Sequence, residues 1–325
     1  MNLNSFIGNY HIKNQLSALF CQKKFPHAIL LEGEKGLGKR TLAKIIAQAA
    51  VCENLEEDLA CETCASCQKV EKEIHPDVIY PEKTGVMQSY SITTVRKIRV
   101  DAYVAPNESS RKVYIFTDAD TMGIPAQNAL LKVLEEPPQN VIFILTCQSS
   151  TNLLATLCSR MLRFAVSTVS QEELQEYFEK NYPKENLENL LSTSNGNIGL
   201  LLDLVESTEC KIPLEIAKKV AQNLVLAKEF DLLKIMVPIF ENRKIFIAFL
   251  NFLSVFFRDA LVFLKKVTIE DENDVKMLSE RLTVQQILNI IDAINETRRH
   301  AENNVNLSIL TTSFCSNLYN IANNR

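Results

Sequence analysis

The sequence predicts an α/β domain built on a mostly parallel sheet, followed by helical units to the end of the chain. Three observations carry that reading. HAILLEGEKG followed by TLAKIIAQAAV is an apolar run, a glycine turn and a stretch of helical periodicity. VYIFTDAD (Val113–Asp120) and VIFILTC (Val141–Cys147) are continuous apolar runs, as in strands buried on both faces, with the helical pattern IPAQNALLKVLEE between them. From Ile212 onward apolar positions recur at three and four spacing, as in VQQILNIIDAINETRRH, and no further strand pattern follows.

Taken in order, strand, loop and helix occupy His27 to Val51, and the helix before Val141 stops at Pro137 and Pro138, which lack the amide hydrogen a helix interior needs. Alternating strands and helices fill residues 1–166, the first domain. After RFAVSTVS, Ser170 with Glu172 and Glu173 marks a helix start and opens a small helical unit over 167–208, broken at STSNGNIG. Residues 209–325 read as an all-α domain, and a chain of 325 residues accommodates three such units.

Hydrophobic content of 46% with 23% charged residues excludes a disordered chain, and a net charge of −4 excludes bulk electrostatic attraction to DNA. MNLNSFIGNYHIK has no basic-then-apolar signal pattern, so a cytoplasmic location is expected. The apolar stretch Ile245 to Phe263 is interrupted by Asn251, Arg258 and Asp259, which favours a buried helix over a membrane span. Nine cysteines in such a chain point away from disulfides and toward their spacing.

Three constellations bear chemistry. In GEKGLGKRT the glycines Gly33, Gly36 and Gly38 let backbone amides face phosphate oxygens, and Lys39 is placed for the β/γ-phosphates. Arg40 stands where the pattern needs a Mg²⁺-holding hydroxyl, and Thr41 lies about 100° further around the helix. A strand ending at Phe116 puts Thr117, with Asp118 and Asp120 beyond it, where an acidic pair for metal and water is needed. Nucleotide binding without turnover stays open, because the glycines and Lys39 survive.

Cys52, Cys61, Cys64 and Cys67, within an insert of about 52–67, have the spacing of a closed tetrahedral Zn²⁺ shell; separate buried thiols are the alternative. Four protein ligands make such a metal structural. The acidic neighbours Glu53, Glu56, Glu57, Asp58 and Glu62 argue against DNA binding by the insert. TLCSRMLRF places Ser159 and Arg160 just before a short strand.

FIGNYHIKNQL, FPHAILLEG, the loop, the four cysteines, TDAD, NALLKVLEEPP and ATLCSR together resemble the clamp-loader subunits of bacterial DNA polymerase III, relatives of the AAA+ ATPases, over essentially the whole chain. The damaged loop and missing acidic pair are similar to the non-hydrolysing δ′-type branch; an ATP-hydrolysing γ/τ-like subunit is the alternative. The resemblance implies an AAA+ domain, a helical lid and a helical collar for assembly. It implies γ/τ and δ subunits as partners, with the sliding clamp and primed DNA met in the assembly, and no membrane. It further implies that Arg160, beside Ser159, reaches a neighbouring subunit's ATP, although Met161 replaces the motif's cysteine. Hydrolysing relatives carry a lid arginine where this sequence has Gly199.

Overall fold

The computed structural model describes residues 3–22, 24–55, 60–85, 88–182, 191, 194, 196–206, 208–224, 228–240, 242–264, 278–302 and 305–323. Residues 56–59 of the cysteine insert and 192, 193 and 195 of the STSNGNIG break lie outside them. The chain divides into two compact units, Met1–Asn181 with Gly196–Gly199, and Tyr182–Asn195 with Leu200–Arg325.

The first unit is a three-layer α/β structure. Its strands are β1 (Ala28–Glu32), β2 (Val78–Ile79), β3 (Lys112–Phe116), β4 (Val141–Cys147) and β5 (Leu162–Ala165). They form one parallel sheet in the order β2-β3-β4-β1-β5. Alternation along the strands divides the core in two. Ile29, Leu31, Val113, Ile115, Ile142 and Ile144 face the helices α1 (Tyr10–Cys21) and α2 (Lys39–Val51). Leu30, Tyr114, Phe116, Phe143 and Leu145 face α4 (Ile92–Asp101) and α5 (Ile124–Glu135). Cover on both faces is why these strands read as unbroken apolar runs.

Between α2 and β2 lies the short helix α3 (Ala65–Glu71), and α6 (Ala155–Cys158) precedes β5. The third strand begins at Lys112 and ends at Phe116, leaving Thr117 as the first residue beyond the sheet. Because β1 lies between β4 and β5, the chain leaving β1 emerges where neighbouring connections diverge, the place where open parallel sheets bind ligands. Gly33 donates its N–H to Cys147 O (3.2 Å), and Val166 donates to Glu32 O (2.7 Å), so the loop after β1 is tied to both flanking strands.

The second unit is helical among the described residues. Its longest helix, Arg243–Leu264, is apolar enough by length and composition to cross a membrane, yet it buries Phe246, Phe249, Leu253 and Phe257 in that unit's core. The same core takes side chains from Thr208–Asn223, Val284–Glu302 and Leu307–Asn323. An α/β domain with a helical C-terminal region is the class the sequence predicts.

Candidate functional site

The loop from Gly33 to Lys39 has the backbone of a phosphate cradle, and neighbouring groups engage its carbonyls. Lys39 is only 8% exposed, and its Nζ donates to Gly33 O (2.5 Å) and Glu34 O (2.6 Å) within the loop itself. Burial pulls the Lys39 pKa down, against the opposing pull of Asp118, Cys147 and Asp120. Gly36 has φ +90°, which favours glycine, and a Cβ there would lie 2.2 Å from Asn197 Oδ1 and displace that side chain. Asn197 Nδ2 donates to Lys35 O (2.8 Å) and Gly199 N–H donates to Gly36 O (2.8 Å). Gly199, which the resemblance sets where hydrolysing relatives carry a lid arginine, therefore sits directly on the loop; a Cβ on it would meet Gly36 Cα at 2.7 Å.

The residues after β3 are also engaged. The Tyr90 hydroxyl accepts the Thr117 N–H (2.9 Å) and donates to Thr117 O (3.0 Å). Asp118 pairs with Lys83 (2.7 Å) and donates its N–H to Thr146 Oγ1 (3.1 Å). Asp120 accepts the Gln148 N–H (3.0 Å), while its other carboxylate oxygen is buried with no hydrogen-bond partner among the described residues.

Arg40 does not point at the cradle. Its Nη2 bonds both carboxylate oxygens of Glu73 (3.0 and 3.2 Å). It begins a row at four-residue spacing along α2, since residues four apart share a helix face. Lys44 Nζ donates to Glu71 O (2.7 Å), Gln48 Nε2 to Cys67 O (3.3 Å), and Cys52 itself joins the cysteine cluster. One face of α2 thus ties down α3 and the residue pair after it, from Cys67 to Glu73, and ends in the cysteine cluster. The spacing 40, 44, 48, 52 was visible in the sequence, but its target was not.

The four cysteine sulfurs all lie within 4.8 Å of one another. Cys52 and Cys61 are 3.6 Å apart, and Cys61 and Cys67 4.0 Å. A tetrahedral zinc with 2.3 Å sulfur bonds sets sulfur separations of about 3.8 Å, so the set fits such an ion. The N–H groups of Cys61, Cys64 and Cys67 point at Cys52, Cys61 and Cys64 sulfurs, each at 3.4 Å, as suits thiolates. Burial raises the Cys61 pKa, but the N–H groups of Cys64 and Thr63 outweigh it and bring it to about 6. Burial pushes Cys52 and Cys67 up. With all four ligands from protein, this cluster can hold a metal ion structurally.

Arg160 and Ser159 lie just before β5, apart from the loop and the cysteines in sequence and environment. Arg160 Nη1 donates to Thr156 O (2.7 Å) and Nη2 pairs with Glu135 Oε1 (3.0 Å). Ser159 Oγ also donates to Thr156 O (3.1 Å). Glu135, Tyr90 and Asn197 were not singled out by sequence reasoning; their partners are 25 or more residues distant and no local pattern announces them.

Residues 8–170 match the family described as "DNA polymerase III, delta subunit". The tau subunit of Bacillus subtilis is 28% identical, over 90% of this chain and 57% of its own length. The delta′ subunit of the same organism is 25% identical, over 87% of this chain and 88% of its own. The chain spans about half the length of the tau and gamma relatives it matches. Among solved structures, a gamma-subunit-related protein of Thermotoga maritima has a TM-score of 0.46 at 18% identity, covering 95% of this chain and 99% of that one.

Proposed function

The chain belongs to the clamp-loader subunits of DNA polymerase III, and we propose that it acts among them as a non-hydrolysing, δ′-type member that lends Arg160 to the ATP of a neighbouring γ/τ subunit. The observation that supports this best is the state of its own loop. Gly199 and Asn197 rest on Gly36, Lys39 is spent on loop carbonyls, and Arg40 is turned to Glu73. Thr117 replaces the metal-side carboxylate and is clamped by Tyr90. Arg40, Thr117 and Gly199 each stand where a contact to one Mg-nucleotide is needed, so the cradle reads as inherited scaffold.

Catalysis in this reading is given in trans. A guanidinium beside a transferring phosphoryl group neutralises charge that develops in the transition state, worth on the order of 10³ to 10⁵ in rate when well placed. Ser159, bonded to the same carbonyl as Arg160, helps fix the turn that carries it. Zn²⁺ is the ion we assign to Cys52, Cys61, Cys64 and Cys67; bound there it cross-links the insert and leaves no open position for substrate. The division into residues 1–166, 167–208 and 209–325 is part of the proposal, with the last as the assembly collar. So are γ/τ and δ partners, work on the sliding clamp and primed DNA within the assembly, and a cytoplasmic location.

The competing reading is a γ/τ-like subunit that hydrolyses ATP itself, favoured by the retained glycines and Lys39 and by the tau and gamma relatives. One reconstitution separates the two. Assembled with γ/τ and δ subunits, Arg160→Ala should cut ATPase at least tenfold with the assembly intact; unchanged turnover sinks the finger assignment. Titration of the isolated chain with labelled ATP, with and without Mg²⁺, should show no turnover, and turnover would establish the competing reading.

A further inference from the structure

We infer that Glu135 is a positioning residue for Arg160, holding the guanidinium in the direction from which it meets a neighbour's phosphate; this rests on the trans-finger reading above. Arg160 is anchored at two points, Nη1 on Thr156 O at 2.7 Å and Nη2 on Glu135 Oε1 at 3.0 Å. A guanidinium carries five N–H donors in one plane, so two anchors fix that plane and leave the other donors for a ligand. The pair faces an open groove lined also by His27, Met161 and Leu162, so the free edge is reachable from outside the chain.

The placement of Glu135 is the second observation. It is the last residue of α5, followed by Glu136 and the two prolines that end the helix. Carboxylates are disfavoured at a helix C-terminus, where the backbone already presents unsatisfied carbonyls and negative partial charge. An ion pair whose side chains are 49% and 35% exposed returns little stability. A locally unfavourable charge in a weak pair is explained by the direction it gives Arg160.

The other end of α5 is fixed to the same segment. Gln127, 2% exposed, donates to Asn152 O (3.0 Å) and accepts the Leu154 N–H (2.8 Å) through Oε1. The helix is therefore a splint, bonded near its start to the residues entering α6 and at its end to the arginine leaving it. NALLKVLEEPP and the Ser-Arg pair are thereby tied to one another in space.

The test uses the reconstituted assembly and reads kcat and KM for ATP, with unfolding temperature and co-purification as controls. Glu135→Ala should lower kcat about tenfold at unchanged KM, because misdirecting a reacting group by about 1 Å costs up to about a hundredfold. Glu135→Gln, which keeps an acceptor but not the charge, should lose about threefold and serves if the alanine variant does not fold. Added to Arg160→Ala, Glu135→Ala should lower kcat no further. If Arg160→Ala itself changes nothing, the finger reading fails and takes this inference with it. If Arg160→Ala lowers kcat while the Glu135 variants leave it unchanged or raise it, the positioning role alone is overturned. Losses that multiply in the double variant overturn it as well.

Discussion

The two ends of α2 hold the two sites that sequence motifs announce most clearly, and their polar groups are engaged in different ways. At its start, the glycine loop keeps its shape while its polar groups turn to one another and to Asn197 and Gly199. At its end, Cys52 meets three other sulfurs at separations that suit one ion. A loop motif records backbone geometry, which does not by itself say whether a ligand is held. Four sulfurs converging within 4.8 Å meet the distance requirement of one metal ion directly, so the cysteine cluster is the more specific of the two signals.

That contrast can be broken most forcefully at the cysteines. Cys64→Ser should remove bound zinc, measured by metal analysis, and cost at least about 4 kcal/mol in denaturant unfolding, as loss of a structural metal does. Equal stability and metal content would place the cluster among ordinary buried thiols. A smaller effect is expected at the loop: Gly199→Ala forces a Cβ to 2.7 Å from the Gly36 backbone, an overpacking worth roughly 1–3 kcal/mol. A neutral result would mean that the segment does not hold the loop. The smallest effect belongs to Arg40. Its pair with Glu73 is at the surface, so Arg40→Ala should cost less than about 1 kcal/mol. Arg40→Thr, which restores the missing hydroxyl, should still give no ATPase in the isolated chain, since Thr117 and Gly199 remain.

What the sequence disclosed follows from range. The runs at Val113 and Val141 and the stop at Pro137 are local signals, and β3, β4 and α5 appear where they point. The strand end at Phe116, with Thr117 the first residue beyond the sheet, was legible for the same reason. The two-residue β2 was not, because Val78–Ile79 is too short to carry a period and exists by pairing with β3. Arg40 was legible as a lost hydroxyl but not as a partner of Glu73, 33 residues away. Glu135 lies within NALLKVLEEPP, but no local pattern gives it a partner until the fold brings Arg160 to it.

The amide of Gly199 carries one more consequence. Its hydrogen is committed to Gly36 O, so it exchanges with solvent only when segment and loop part. The exchange rate of that single proton is therefore a clock for the loop's opening, readable in the absence of any nucleotide. It would convert the question of whether the cradle can still receive a phosphate into a measured equilibrium between closed and open forms.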